Sequence, residues 1–380
     1  MRDRTQVKRG FIERSFVTRY TTGQHGIRLL LTFAIAGLII LASPLRAQFV
    51  YVTNALDGTV SAYSLSANGG LTPVVGSPFT VGNTPNLLAI HPNGKTLYVA
   101  NLFSRSEAYE IDQNGALTLV PGSDATGAAG VAVEPRGKFV YLAEGIANGV
   151  SAYGLGKKGA LTPLGPKVFT GVYPASVTVG PSSEYVYVPN AGTNNLSVFR
   201  IDSSGNLTPG PGSPFQTEGS ARAVAVDSKG KYVYVVNQDD GINIYSIGCE
   251  GGLAPLPGAP FYFSILGSGA YGLALDPKGE FAYMVTAFSD SIVVFRIGDD
   301  GTLTPVASTA LSANSWPFTV AVDSNGGFLY TANFKSNNVS GYSIGDDGTL
   351  TPVPGSPFAA GGNPAGIAIT PAVRPSAKSR

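Results

Sequence analysis

The chain has 380 residues, with 25 Lys and Arg against 24 Asp and Glu and a formal net charge of +1. Apolar residues make up 43% and charged residues 13%, beside 49 Gly and 27 Pro, which excludes a disordered charged tail and predicts β-strands joined by turns. The near-neutral charge argues against a protein that wraps nucleic acid, and one Cys and two His argue against a disulfide framework or a zinc site, so we expect no metal and no cofactor.

The first 47 residues have the pattern of an export signal. The chain is basic up to Arg28, and residues 29–45 then carry no charge and are followed by Arg46-Ala47. This apolar run is shorter than the roughly 20 residues of a membrane-spanning helix, which favours a signal peptide over 1–47. The alternative is an uncleaved membrane anchor. We therefore expect an extracytoplasmic protein, periplasmic or secreted, and membrane-anchored if the segment is retained.

Removing this segment changes the apparent charge of the protein. Residues 1–47 hold 8 Lys and Arg and 2 Asp and Glu, so the remaining chain has 17 basic and 22 acidic residues. A mildly acidic surface repels polyanions, which argues further against nucleic acid or an anionic membrane as a partner.

From Phe49 onward, one sequence unit recurs seven times. Each copy contains a run like Phe49-Val-Tyr-Val-Thr-Asn54, with its shared tyrosine 43 to 49 residues from the next: Tyr51, Tyr98, Tyr141, Tyr187, Tyr234, Tyr283 and Tyr330. A small apolar run such as 223–227 precedes the tyrosine run, and an alternating run such as 60–65 follows it. A Leu-Thr-Pro-like run such as 71–73 ends most copies. We interpret the four runs as strands A, B, C and D, with the tyrosine in B.

Tight-turn sequences separate these runs. Asp276-Pro-Lys-Gly279 stands between A and B, and Asp299-Asp-Gly301 between C and D, where Asp caps the turn and Gly supplies a positive φ. Four short strands every 45 residues or so are typical of a propeller blade. The sequence therefore predicts an all-β, seven-bladed β-propeller with four antiparallel strands per blade.

The two ends of the repeat array are complementary. The first copy lacks strand A, and the last copy is followed by an additional A-like run at 366–370. We expect 366–370 to pair with 49–54 and close the ring, because an open sheet edge would invite aggregation. This places the propeller at 48–371, leaves a tail at 372–380, and favours a monomer.

The combination of the Phe-Val-Tyr-Val-Thr-Asn run, Leu-Thr-Pro-Val and Asp-Pro-x-Gly turns resembles the YVTN-repeat, lactonase-family seven-bladed β-propellers. That family includes the bacterial propeller-type 6-phosphogluconolactonase. The resemblance spans about 48–371 and implies the propeller fold. It also implies a lactone hydrolase activity, although propellers host many unrelated functions.

Residue by residue, the resemblance keeps an arginine and loses the proton-transfer groups. Family members have Gly-Pro-Arg-His at the start of one A strand and Asn-Glu at the end of the next B strand, which implies anion binding and acid–base chemistry. The matching positions here hold Arg222, Ala223 and Gln238, and Ala175 stands where another A strand has His. Ala and Gln cannot exchange protons near neutral pH, so the ordinary acid–base route is missing.

The D–A and B–C connections share one rim of an antiparallel A-B-C-D ring, and they are the variable segments. Five copies end strand B with Asn, which we interpret as a structural cap, whereas Glu144 departs from this pattern and is a candidate acid. The alternative is a solvated or Lys-paired carboxylate. Asp239, in another B–C loop, and Arg222 complete the candidate catalytic groups.

Aromatic and polar residues on the same D–A/B–C rim suit a sugar ring or a flat organic ligand. The candidate ligand-binding residues are Tyr173, Gln238, Tyr271, Trp316, Lys335 and Arg105, with Phe288 and Phe334 beside them. The alternative for each aromatic residue is packing between blades.

Three functions are consistent with these observations. The first is an exported propeller that binds a small molecule, sugar or lactone-like, or a protein partner on the D–A/B–C rim. The second is a lactone hydrolase with altered acid–base residues. Whether the chain is an enzyme stays open between these functions. The third is a structural cell-surface repeat protein, which needs no small-molecule site.

Overall fold

Seven antiparallel β-sheets make up the computed structural model, which describes residues 47–239, 241–262, 269–311 and 315–372. The predicted signal peptide up to residue 46 and the predicted tail from residue 373 lie outside the described residues. Within the described part of the chain, no helix is long and apolar enough to cross a membrane.

The first four blades are built from consecutive strands, with one strand of blade 1 supplied by the far end of the chain. Blade 1 contains β1 (Gln48–Asn54), β2 (Thr59–Leu65), β3 (Leu71–Pro73), β4 (Phe79–Thr80) and β33 (Pro364–Ile369). Blade 2 contains β5 (Pro85–Ile90), β6 (Thr96–Asn101), β7 (Glu107–Ile111) and β8 (Leu117–Leu119). Blade 3 contains β9 (Gly130–Val133), β10 (Phe139–Glu144), β11 (Gly149–Leu155), a 3₁₀ turn (Lys157–Gly159), β12 (Leu161–Pro163) and β13 (Val168–Phe169). Blade 4 contains β14 (Thr178–Val179), β15 (Tyr185–Asn190), β16 (Asn195–Ile201), β17 (Leu207–Pro209) and β18 (Phe215–Gln216).

The remaining three blades repeat this plan. Blade 5 contains β19 (Ala221–Val226), β20 (Tyr232–Asn237), β21 (Gly241–Ile247), β22 (Leu253–Pro255) and β23 (Phe261–Tyr262). Blade 6 contains β24 (Ala270–Leu275), β25 (Phe281–Thr286), β26 (Ser291–Ile297) and β27 (Leu303–Ala310). Blade 7 contains β28 (Pro317–Val322), β29 (Phe328–Asn333), β30 (Asn338–Ile344), β31 (Leu350–Pro352) and β32 (Phe358–Ala359). The predicted strands A, B, C and D are thus present in every blade in that order.

The ring is closed by the two ends of the propeller, as predicted. The inner strands contact one another in the order β33, β5, β9, β14, β19, β24, β28 and back to β33. Strand β1 pairs antiparallel with β33, so that Tyr51 lies opposite Ala368 and Val52 opposite Ile367. Blade 1 therefore combines strands from both ends of the chain, and the prediction of closure is confirmed.

The outer edge of the blades is more divided than the sequence predicted. In blades 1, 3, 4, 5 and 7, a turn follows strand D, and a second, two-residue strand then pairs with the same strand C. Proline cannot donate to a central ladder, which agrees with the position of strand D at the outer edge. Blade 6 instead has one continuous edge strand, β27.

The shared tyrosines tie each blade to the next. Their rings are buried, and several hydroxyls donate to the carbonyl oxygen of a glycine in the C–D turn of the following blade. These bonds run from Tyr51 to Gly115 (2.9 Å), Tyr141 to Gly205 (3.1 Å), Tyr234 to Gly301 (3.1 Å) and Tyr330 to Gly69 (2.6 Å). Burial raises the pKa of the Tyr141, Tyr234 and Tyr330 phenols above the ordinary value.

Small residues in the inner strands let neighbouring blades approach closely. A Cβ at Gly366 would lie 2.5 Å from the carbonyl oxygen of Asn86, and one at Gly130 would lie 2.9 Å from the Cα of Ser176. Real Cβ atoms do not approach backbone this closely, so only glycine fits at these two positions. The inner strands of neighbouring blades are therefore in close backbone contact at these two positions.

Candidate functional site

A cavity of about 230 Å³, here called the axial cavity, lies where the inner strands of the seven blades meet. Its lining comes from all seven blades, including Asn86, Val131, Ala175, Arg222, Tyr271, Phe318 and Gly366. These residues lie in the first half of each inner strand or just before it, at the end where the D–A connection enters. The axial cavity therefore lies toward the predicted D–A/B–C rim.

β-Bulges aim three large lining side chains into the axial cavity. In blade 5, Ala221 pairs with Asn237 and Ala223 with Val236, so Arg222 is an extra residue in the inner strand. Tyr271 in blade 6 and Phe318 in blade 7 occupy the same position in the same irregularity. A bulge redirects a side chain relative to the regular alternation of a strand. Three adjacent blades thus present Arg222, Tyr271 and Phe318 on one side of the cavity.

Arg222 is held by a neutral amide and an aromatic ring. Its Nε donates to Oε1 of Gln238 at 2.8 Å, and its Nη2 donates to the same oxygen. Its Cζ lies 5.4 Å from the centre of the Tyr271 ring, in cation–π range. None of the ion pairs formed by the described residues involves Arg222, so its charge has no carboxylate partner there.

Five aromatic rings from blades 6 and 7 form a continuous cluster, here called the aromatic wall. It consists of Tyr271, Phe288, Trp316, Phe318 and Phe334. Ring centres lie 5.1 Å apart for Tyr271 and Phe318 and 5.7 Å apart for Phe288 and Trp316. The wall begins in the axial cavity, where Tyr271 and Phe318 line it, and reaches the rim, where Phe288 is 55% exposed.

Tyr173 and Trp316 share an unusual backbone conformation on opposite sides of the ring. Each immediately precedes a proline and has a positive φ, +54° for Tyr173 and +46° for Trp316. Their N–H groups donate to side chains before strand C, Tyr173 to Asn148 Oδ1 at 2.9 Å and Trp316 to Asp290 Oδ1 at 2.7 Å. The two residues belong to blades 4 and 7, which are nearly opposite in a ring of seven. Tyr173 lines the axial cavity.

Glu144 is buried away from the lining of the axial cavity. Its Oε1 accepts hydrogen bonds from Ser151 and, at 3.1 Å, from Thr126, and its Oε2 lies 3.3 Å from Nζ of Lys167. The side chain is 6% exposed. Glu144 is therefore bound by two hydroxyl groups and a lysine. This arrangement is that of the Lys-paired carboxylate, the alternative to a catalytic acid.

The asparagines that end strand B in other blades make equivalent contacts. Asn54 Nδ2 donates to Ser61 Oγ, Asn190 Nδ2 to Ser197 Oγ and Asn333 Nδ2 to Ser340 Oγ, at 2.8–2.9 Å. Asn101 Nδ2 instead donates to loop backbone, to Arg105 O at 2.7 Å. The commoner partner is a strand C hydroxyl, because it faces the asparagine across the B–C hairpin.

The other predicted site residues are distributed around the rim. Lys335 lies over the Trp316 ring, with Nζ 5.1 Å from its centre. Asp239 Oδ2 lies 3.5 Å from the backbone nitrogen of Ser220, and Ser220 precedes Arg222 by two residues. Arg105 forms an exposed ion pair with Asp124 beside a separate surface hollow. Six of the predicted site residues therefore line the axial cavity or contact its lining or the aromatic wall: Arg222, Gln238, Tyr271, Tyr173, Trp316 and Lys335. Arg105 and Glu144 do neither.

Phe318 and Asn86 are among the lining residues that the sequence analysis did not identify. Both occupy the repeat position of Arg222, three residues before the inner-strand residue that pairs with the shared tyrosine. Aligning the seven copies on that tyrosine would have found them. Within the described residues, no group of three or more His, Cys, Asp or Glu side chains could hold a metal ion.

A family profile described as "Lactonase, 7-bladed beta-propeller" matches residues 118–214, 163–261 and 265–365. A 6-phosphogluconolactonase of Yersinia pseudotuberculosis serotype O:3 is 32% identical over 130 residues, 31% of this chain and 39% of the relative. A Yersinia enterocolitica 6-phosphogluconolactonase is 30% identical over 124 residues, 30% of this chain and 37% of the relative. The chain thus spans less than half the length of these curated relatives.

Solved structures share the fold over most of their length. The Pseudomonas aeruginosa periplasmic gluconolactonase superposes with a TM-score of 0.73 at 17% identity, covering 86% of this chain and 100% of that one. A Lactobacillus plantarum protein superposes with a TM-score of 0.68 at 18% identity, covering 85% and 99%. At these identities the likeness concerns the fold alone.

Proposed function

We propose, from the premise that the chain belongs to the seven-bladed β-propeller lactonase family, that it is an exported binding protein for a small anionic molecule. The ligand binds in the axial cavity, with its negative group on Arg222. The family membership supplies the scaffold, and the residues of this chain's own cavity supply the argument for binding.

The observation that carries the proposal is the environment of Arg222. It is the one charged side chain among the residues that line the axial cavity in the described structure. Gln238 orients the guanidinium through a neutral oxygen and leaves its charge unneutralised. A guanidinium favours carboxylate and phosphate because it presents several N–H donors in one plane. A small anion entering this cavity would therefore meet an oriented cation.

Binding is favoured over hydrolysis because the lining offers no proton-transfer pair. Among the described residues, those that line the cavity include no Asp, Glu, His, Lys or Cys side chain. The hydroxyls of Ser176 and Thr178 each donate to a backbone carbonyl of blade 5 at 3.0 Å, and Thr319 donates to Ala365 O. A nucleophilic hydroxyl needs an adjacent base, and these hydroxyls hold neighbouring blades together instead.

Lactone hydrolysis remains the second candidate because of the family and the names of its relatives. Such a mechanism would have to use Arg222 with a group outside the cavity lining, such as Asp239. Export is proposed from the basic and then apolar start of the chain, and a periplasmic gluconolactonase among its structural neighbours is consistent with it.

Calorimetric titration with small carboxylates, including gluconate and benzoate, tests the proposal alongside a gluconolactone hydrolysis assay. The variants are Arg222→Met and a control, Arg136→Met, because Arg136 bonds Ser182 O in an A–B turn on the opposite rim. We expect at least one carboxylate to bind, with affinity lost in Arg222→Met and kept in Arg136→Met. Lactone turnover abolished by Arg222→Met would establish the hydrolase instead, and absence of any anion binding would favour the structural repeat protein.

A further inference from the structure

One member of the aromatic wall, Trp316, occupies a backbone position that suits other residues better. In five blades, a residue in the D–A connection that leads into the inner strand has a positive φ: Thr84, Tyr173, Gly269, Trp316 and Asn363. Glycine and asparagine tolerate this left-handed region, whereas a bulky aromatic side chain is strained there. Gly269 and Asn363 show that a small residue satisfies the fold at this position, so the backbone does not require the indole of Trp316.

Packing does not explain the indole of Trp316 either. The indole Nε1 of Trp316 is buried with no hydrogen-bond partner among the described residues, which is an unfavourable arrangement for a donor. Phe288, which contacts both Trp316 and Tyr271, remains 55% exposed. A strained residue beside an unsatisfied donor is an arrangement found at ligand-binding sites.

The charged residues around the aromatic wall indicate the sign of the charge on that ligand. Arg222 lies over the ring of Tyr271 at the cavity end, and Lys335 lies over the ring of Trp316 at the rim end. Among the described residues, neither cation takes part in an ion pair. The Asp290 carboxylate also lies at the rim end, where it accepts from Trp316 N at 2.7 Å, so the cavity end, with Arg222, is where negative charge is attracted most.

The polar groups of the wall indicate the shape of the ligand. Its five rings carry only two hydrogen-bonding groups, the Tyr271 hydroxyl and the Trp316 indole N–H. A polyhydroxylated sugar would lose hydration on this surface without regaining hydrogen bonds, whereas a flat apolar ring would stack on it.

We propose that the ligand of the axial cavity is an aromatic acid, with its carboxylate on Arg222 and its ring stacked on the aromatic wall. This inference rests on the proposed function and narrows it to one class of anion. Trp316 and Phe288 are then specificity-determining residues that favour a planar ring over a saturated one.

Matched carboxylates test the shape preference directly. Benzoate and cyclohexanecarboxylate have the same charge and nearly the same size, and they differ in planarity and π-electrons. Stacking on one or two wall rings predicts that benzoate binds more tightly by roughly tenfold in calorimetry. Because Trp316 is the only tryptophan, benzoate should also change the intrinsic fluorescence. Equal affinities would overturn the inference and leave the anion-binding proposal intact, whereas failure of every carboxylate to bind would refute the anion-binding proposal itself.

Two variants separate a binding role from a packing role. Phe288→Leu should remove most of the preference for benzoate, while Phe169→Leu should not, although Phe169 is also exposed and lies 5.8 Å from a lysine ammonium, that of Lys167. Trp316→Asn should leave the melting temperature unchanged or raise it while lowering benzoate affinity, because Asn suits the left-handed backbone. A lower melting temperature with unchanged benzoate affinity would show that the indole serves packing, and the inference would fail.

Discussion

Arg222 donates two hydrogen bonds to the same atom, Oε1 of Gln238. The partner is an amide, so it fixes the direction of the guanidinium without cancelling its charge. Where related propellers have Glu after the strand B asparagine, as the family resemblance implies, an ion pair would form instead. This one difference leaves the cation of the axial cavity available to a ligand.

Gln238→Glu should therefore weaken anion binding. The new carboxylate would pair with Arg222 and compete with the ligand, lowering the affinity for a small carboxylate by roughly tenfold or more. Titration calorimetry measures the effect, and Gln216→Glu is the control because Gln216 lies on an exposed outer strand. Unchanged affinity in Gln238→Glu would show that the ligand does not use this arginine.

The buried tyrosines allow a paired stability test. Tyr141→Phe removes the bond to Gly205 O and leaves that carbonyl without its donor, at a cost of about 1–2 kcal/mol in the free energy of unfolding. Tyr283→Phe should be neutral or stabilising, because the Tyr283 hydroxyl is buried with no partner among the described residues. Urea denaturation measures both. Equal losses would mean that the hydroxyls do not differ in their partners.

The fold could be predicted from the sequence because the sequence unit of one blade recurs seven times. Strand order, the shared tyrosines and the pairing of 366–370 with 49–54 all follow from comparing the copies. The short second strands on the outer edge were missed, since a two-residue strand carries no periodicity of its own. Their position follows instead from a turn after strand D that the period-2 pattern does not report.

The candidate site could be predicted only in part. Arg222 stood out through the family resemblance and Tyr271 as an aromatic residue in a variable D–A connection, whereas Phe318 was not singled out. The bulge that turns Phe318 into the cavity changes which residues share a face, and alternation alone cannot show this. The surroundings of Glu144 were equally hidden, because Thr126 and Lys167 approach it from separate connections.

Glu144→Gln tests whether that carboxylate is structural. The amide oxygen can still accept from Ser151, so we expect only the ion pair with the partly exposed Lys167 to be lost, about 1 kcal/mol of stability. Anion binding and any lactone turnover should be unchanged, because Glu144 does not line the axial cavity. A variant that folds normally but loses ligand affinity or turnover would place Glu144 in the site.

Alkaline pH should destabilise the ring through the same tyrosines. Burial holds the phenols of Tyr141, Tyr234 and Tyr330 protonated above the pH at which they titrate in the unfolded chain. The contribution of these tyrosines to the free energy of unfolding is therefore fully present below about pH 10. It falls as the pH rises above this value, by about 1.4 kcal/mol per pH unit for each such tyrosine. Urea midpoints between about pH 8 and 11 measure this, and Tyr141→Phe should reduce the slope. A midpoint independent of pH would contradict the burial of these groups.

Truncation after Asn363 should unfold the whole ring, because it removes β33. Strand β1 would lose its inner partner, including the bond from Phe49 N to Thr370 Oγ1 at 2.8 Å and that from Gly366 N to Thr53 Oγ1 at 2.7 Å. The edges of blades 2 and 7 that pack on β33 would be exposed as well. Circular dichroism and thermal denaturation should show loss of the cooperative transition, whereas truncation after Ala372 should leave it unchanged. A chain ending at Asn363 with the full-length melting temperature would mean that closure by β33 does not stabilise the propeller.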